Sequence, residues 1–300
     1  MLTDEEIELR ATELETDRDV SRDDERILNE RRRWLDHNFL DRACPDASIA
    51  DLDAALFETN YLPSAVAPDV PAANNRTPAE RMRALRLLDS EDRPTFLALL
   101  AIGKSPRDWL PGAYVQFVRF AGDARTDPIL DQKVLEGPLS RVATLLDDVI
   151  HVNIRIQTRL PEQGPEQRLP DYPVVALREL LRNALLHRSY EIQSPIYLYW
   201  FSDRIEIHSP GGLSGRVEPE SFGLAGMTDY RNPSLAAAMK TLGFVQQFGI
   251  GVALARKACR DNHNPDPRFE FGASRVLAAI DARRRPDAAP PSGEPPRQAM

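Results

Sequence analysis

The chain has 300 residues, 42% of them hydrophobic and 28% charged, with a formal net charge of −8. That describes a globular chain long enough for one large or two medium domains, and the negative balance excludes a chain-wide basic surface for nucleic acid. Cys44 and Cys259 are too few for a disulfide framework or a cysteine zinc site, and the five histidines show no metal-ligand spacing. No apolar run is long enough to span a bilayer, and the acidic N-terminus is not a signal peptide, so a reducing cytoplasm is the expected compartment.

Residues 4–36 are dense in Asp, Glu and Arg, with sparse apolar positions such as Ile7, Leu14, Ile27 and Trp34. They read as helices with a weak apolar face or as a solvated charge run. A helix is predicted from Asp46 or Ser48 to near Asn60, then a linker over 63–78 marked by Pro63, Pro68, Pro71 and Pro78. Thr77-Pro78 starts a helix over about 79–89. From Pro94 to Ile154 the pattern is a compact α/β unit: an apolar helix from Phe96 to Ile102, an alternating strand from Ala113 to Phe120, and a second strand near Ile129 to Leu135. Gly137-Pro138 then opens an amphipathic helix through Val142, Leu146 and Ile150. After a loop at Gly164-Pro165 come a helix over about 173–188, strands at 195–201 and 204–208 around Ser202-Asp203, and a Gly-rich loop from Pro210 to Gly215. Helices near 232–242 and 251–262 and a strand near 275–280 complete the order. The last residues are Pro-rich and basic without an apolar face and are predicted to be a disordered tail. The boundaries that follow are 1–45 for the charged helical segment, 46–92 for a helical linker region, 93–160 for the small α/β unit, 168–282 for the main domain and 283–300 for the tail.

Four motifs bear on chemistry. Gly103-Lys104-Ser105 has the ending of a phosphate-binding P-loop, but that motif's first glycine falls on Ala98 inside a helix, and Pro106 follows directly. A helix C-terminus and a turn is the better reading. Glu179, Asn183 and His187 recur every four residues, a stripe on a helix whose other side carries Leu177, Leu180, Leu181, Ala184 and Leu185. Asn is a poor mid-helix residue. A carboxylate and an amide one turn apart can serve a hydrated Mg²⁺ and a water molecule together; a solvated face is the equal alternative. Gly249 and Gly251 open an apolar helix, where bare backbone lets N–H groups approach an anion, or where a tight turn lets two helices pack. Ser209-Pro210-Gly211-Gly212-Leu213 follows the strand hairpin as a second Gly-rich element, or as a plain flexible turn.

The order of these motifs resembles the ATPase superfamily of gyrase, histidine kinases and MutL, the Bergerat fold. More narrowly, Tyr172-Pro173, Ala176-Leu177-Arg178-Glu179-Leu180, His187-Arg188-Ser189-Tyr190, Asp203-Arg204-Ile205-Glu206-Ile207, Pro210-Gly211-Gly212-Leu213 and Tyr230-Arg231-Asn232-Pro233 resemble bacterial regulators. These join a Schlafen/AlbA-type DNA-binding domain to a RecG-like, ATPase-like C-terminal module. The resemblance implies an α/β protein, with a C-terminal Bergerat-type two-layer α/β sandwich over 168–282 preceded by the small α/β unit and N-terminal helices. It implies ATP and Mg²⁺ as cofactors, with Glu179 as the catalytic base or water-positioner and Asn183 as the metal ligand. Asn183, His187, His208, Gly211, Gly212, Gly249 and Gly251 form the implied nucleotide-binding set, under a lid over about 214–248. The superfamily sets an Asp just before its first Gly-rich box; here the strand ends Ile207-His208-Ser209, so His208 and Ser209 stand nearest to the base. The expected function is an ATP-binding, transcription-regulator-like switch with slow or no hydrolysis and no helicase motor. The alternative is a degenerate scaffold, or a DNA-binding regulator subunit that keeps the fold without nucleotide. Expected partners are the nucleotide, DNA through a missing or shortened N-terminal domain, and a second copy in a homo-oligomer, with no membrane.

Overall fold

The computed structural model describes residues 38–66, 76–159, 166–215, 217–223, 229–244 and 249–283. The charged segment 4–36, most of the 63–78 linker and nearly all of the predicted tail lie outside the described residues.

The strands are β1 (Tyr114–Phe120), β2 (Ile129–Glu136), β3 (Ile156–Arg159), β4 (Gln167–Pro170), β5 (Ile196–Trp200), β6 (Arg204–Pro210), β7 (Arg268–Phe271) and β8 (Arg275–Asp281). The principal helices are α1 (Pro78–Ala84), α2 (Phe96–Ile102), α3 (Leu139–Asn153), α4 (Val174–His187), α5 (Pro233–Thr241) and α6 (Gly251–Asp261). Six strands form one mixed sheet in the order β2-β1-β5-β6-β8-β7, and β3 and β4 make a separate hairpin.

Alternation along the strands decides which face carries the core. On β5, Ile196, Leu198 and Trp200 are buried while Tyr197 and Tyr199 are half-buried. Leu198 stands opposite Ile207 and Trp200 opposite Ile205 on β6, so these residues share one face. Against it lie Ala176, Leu177, Leu180, Leu181, Ala184 and Leu185 of α4, and Leu139, Val142, Leu146, Val149 and Ile150 of α3, in one continuous core. α6 joins through Ala255 and Cys259. The other face carries a small cluster of Val118, Phe120 and Phe201. This is a two-layer α/β sandwich.

Several boundaries differ from the sequence expectation. The helix expected to end near Asn60 continues through a π turn, Phe57–Tyr61, and on to Ala65. Pro63 has no N–H and would crowd a regular α turn; the wider turn, with Leu62 N–H donating to the Phe57 carbonyl, accommodates it. α1 begins at the Thr77 capping box as expected but stops at Ala84, because Arg86 turns into the left-handed region with φ of 58°. β3, β4 and β7 have no counterpart in the predicted order, since four-residue strands carry too little alternation to stand out. β1 and β2, read as part of a unit over 93–160, are hydrogen-bonded into the same sheet as the main domain: Val115 to Arg119 run parallel to Ile196 to Trp200. Within the expected lid, Leu235, Ala236, Ala238 and Met239 of α5 belong to the core, so that helix is not part of a lid.

Arg188 fastens the end of α4 to its surroundings. Its side chain is 1% exposed. The guanidinium donates to the carbonyls of Gly112, Ile192 (3.1 Å) and Ser194 (3.0 Å). One buried cation thereby joins the turn before β1, the loop before β5 and the C-terminus of α4.

Candidate functional site

The stripe predicted on α4 faces a cleft. Glu179, Asn183 and His187 line it from the helix, Gly211 and Gly212 from the turn after β6, and Gly249 and Gly251 from the start of α6. Ile207 and Ser209 of β6, Val276 and Ala278 of β8 and Phe269 of β7 form its floor. The space amounts to about 1170 Å³, counting the part open to solvent.

At one end, α6 begins without a cap. Its N-cap residue is Ile250, whose side chain makes no capping hydrogen bond, so among the described residues no N-cap side chain takes up the first N–H groups of the helix. Gly251 brings this terminus hard against α4: an added Cβ there would lie 2.9 Å from Glu179 Oε2, 3.2 Å from Asn183 Nδ2 and 3.3 Å from Asn183 Oδ1. Burial lifts the Glu179 carboxyl above its usual range, with Arg182, whose Nη1 is 3.6 Å from Glu179 Oε1, opposing the shift. A carboxylate, an amide oxygen and the positive end of a helix dipole therefore meet at one place.

At the other end, the His187 ring stacks on Tyr230, with centroids 5.7 Å apart and planes 12° apart. Burial, with Arg231 adding to it, holds the His187 pKa down at about 4, so the ring is neutral near pH 7. Arg231 Nε donates to the His187 carbonyl (3.2 Å) and its Nη2 to the Gly212 carbonyl (3.0 Å). Asn232 Nδ2 donates to the carbonyls of Leu186 (2.8 Å) and Arg188 (2.9 Å), which satisfies acceptors at the open end of α4. The Tyr230-Arg231-Asn232 run is thus a clamp between helix and Gly-rich turn. Sequence reasoning assigned these residues no role; the signal was Asn232-Pro233, a helix-start pair placed directly after an aromatic and a cation. Gly211 sits at φ 97°, a conformation that favours glycine.

His208 is the one predicted residue that the structure does not bring to the cleft. Successive side chains on β6 point to opposite faces, so Ile205, Ile207 and Ser209 face the helices while Arg204, Glu206 and His208 face away. His208 Nε2 lies 2.9 Å from Glu206 Oε2, and its ring packs edge-on against Tyr199 at 5.3 Å. Ser209 occupies the cleft-facing position, its Oγ donating to the Ala184 carbonyl at 3.2 Å. The P-loop-like Gly103-Lys104-Ser105 is a helix end: Gly103 caps α2, and Lys104 Nζ donates to the Ala50 carbonyl at 2.7 Å. Among the described residues no group of three or more His, Cys, Asp or Glu side chains could hold a metal ion by itself. No helix there is long and apolar enough to cross a membrane.

An Asn-bearing helix, two glycine-containing turns and a helix N-terminus surround one cleft in a two-layer α/β sandwich, the arrangement that the resemblance to an ATPase-like module implies. In agreement, residues 193–280 match the family described as "Putative ATP-dependent DNA helicase recG C-terminal". That span holds β5 to β7, all but the last residue of β8, α5, α6 and the five glycines that line the cleft, whereas Glu179, Asn183 and His187 precede it. Among solved structures, the DIP2311 protein from Corynebacterium diphtheriae has a similar fold, with a TM-score of 0.63 and 22% identity over 85% of this chain and 51% of that one. The chain thus spans about half the length of that protein. No curated protein matches the sequence.

Proposed function

We propose that the cleft binds a Mg²⁺–ATP complex and that the chain is a nucleotide-dependent regulatory protein with slow or no hydrolysis. The observation that carries this reading is the contact of Glu179 and Asn183 with the uncapped start of α6 at Gly251. Free N–H groups at a helix N-terminus suit phosphate oxygens, and a side chain larger than glycine at 251 would fill the approach. The Asn183 amide oxygen is a donor that fits Mg²⁺, which commonly takes one or two protein oxygens and completes its shell with phosphate and water, and the Glu179 carboxylate stands one turn away, beside that water. When bound, Mg²⁺ would neutralise phosphate charge. Glu179 would orient a water and accept its proton at the carboxylate, whose raised pKa makes it a better base. Ser209 would face the nucleobase with a neutral hydroxyl, and the His187–Tyr230 stack would close the neighbouring wall.

Regulation finds support at the rim. Asn38 Nδ2 donates to the Arg231 carbonyl at 2.9 Å, which ties the first described residue to the clamp that touches His187 and Gly212. The likeness to Schlafen/AlbA-type regulators makes DNA control the kind of output to look for. The alternative, a scaffold that binds no nucleotide, is favoured by one observation: the cleft-facing end of β6 offers Ser209 where the superfamily has an acidic residue. Titration calorimetry of the chain with ATP, with Mg²⁺ and then with EDTA, separates the two. Saturable Mg²⁺-dependent binding that weakens in Asn183→Ala supports the nucleotide site; no heat up to millimolar ATP leaves the scaffold.

A further inference from the structure

β2 is the outer strand of the sheet at the end away from the cleft, and among the described residues no strand pairs with its free edge. It is eight residues long and exposes apolar side chains: Ile129 is 54% exposed, Leu130 59% and Val134 47%. Such an edge is a template for another strand, and proteins guard it with lysines and bulges. β2 has both a lysine, Lys133, and a bulge, where Arg119 and Phe120 of β1 stand opposite Asp131 and Ile129 and leave Leu130 unpaired. The lysine is not a general guard, however. Asp131 lies two residues before it on the same face, with its Oδ2 3.0 Å from Lys133 Nζ.

We propose that β2 pairs antiparallel with β2 of a second copy of this chain, about a two-fold axis through Gln132. Residues equally far before and after Gln132 then stand opposite each other. Asp131 faces the partner's Lys133, and Lys133 faces the partner's Asp131. Neighbouring registers lack this match. An axis through Asp131 or through Lys133 sets like charges face to face. An axis between Gln132 and Lys133 sets Asp131 against the partner's Val134 and Lys133 against the partner's Gln132, so neither charge meets its opposite. The strand is therefore self-complementary in one register, which is the logic of an isologous interface. Pairing would join the two six-stranded sheets edge to edge. Both clefts, formed on β6, β7 and β8, would stay open at the far ends.

The test is sedimentation equilibrium of the full chain across a hundredfold concentration range, with charge reversals at the two positions. The unaltered chain is expected to dimerise. Asp131→Lys alone and Lys133→Asp alone each create two like-charge crossings and should weaken self-association about tenfold or more. An equimolar mixture of the two variants should form a heterodimer, because each strand then faces opposite charges again. The chain carrying both reversals should dimerise like the original. Both side chains are solvent-accessible, so thermal melts should show every variant folded. A chain that stays monomeric throughout overturns the proposal. So does a dimer that both single reversals leave intact, or a mixture of the two variants that fails to associate.

Discussion

Replacing Gly251 by Ala separates the binding role of the cleft from its role in the fold. Gly251 is the first residue of α6 and is not among the glycines with positive φ, so the backbone there accepts an L side chain. The new methyl would meet Glu179 Oε2 at 2.9 Å and the Asn183 amide at 3.2 and 3.3 Å. Those atoms must retreat by a few tenths of an ångström, and as ends of flexible side chains they can. Ala exceeds Gly in helix propensity by up to about 1 kcal/mol in a helix interior, and by less at a first residue. The unliganded fold should therefore hold its stability or gain a little. Binding should move the other way. Pushing Asn183 off its position forfeits a contact to the charged metal–phosphate group worth about 1.5–3 kcal/mol, which is roughly tenfold to a hundredfold in Kd. Thermal shift reads both quantities. At ligand one hundred times the wild-type Kd, nucleotide stabilises the wild type by about 2.7 kcal/mol, and a tenfold weaker variant by about 1.4 kcal/mol. An alanine variant that keeps its unliganded melting point and its full shift with Mg-ATP would refute the reasoning, because the Gly251 approach would then serve packing and not a ligand.

Three further outcomes follow from particular residues. Glu179→Gln should leave Mg-ATP affinity nearly intact and change little in phosphate release measured under single-turnover conditions; robust turnover that vanishes in this variant would show the switch reading wrong. His187 has a pKa of about 4 in the fold against 6.5 for the ordinary side chain, so the unfolded chain binds more protons between those values. Stability should fall as pH drops through that window, by roughly 2 kcal/mol between about pH 7 and 4.5. In His187→Gln, urea melts at the two pH values should show a smaller difference. Arg188→Met should destabilise the fold by about 3 kcal/mol in urea melts, because the buried carbonyls of Gly112, Ile192 and Ser194 lose their donor; a change below about 1 kcal/mol would mean that water replaces the guanidinium.

What the sequence determined by itself is local. The 3.6-residue period of α4 set Glu179, Asn183 and His187 on one stripe, and the order of the glycine turns around it pointed to a single cleft. The helix start at Thr77-Pro78 could be read from its start signal, and β1 from alternation. What tertiary structure decided is which neighbours those elements find. Val115 to Arg119 pair with a strand far along the chain, and no local pattern names a parallel partner. At the end of β6, Ile207, His208 and Ser209 are all buried, so burial there no longer distinguishes the two faces. Only the helices on one side make Ser209, and not His208, the residue that faces the cleft. Arg188 becomes a buried bolt, and Arg231 and Asn232 become a clamp, because the carbonyls they satisfy come from segments that folding alone brings together.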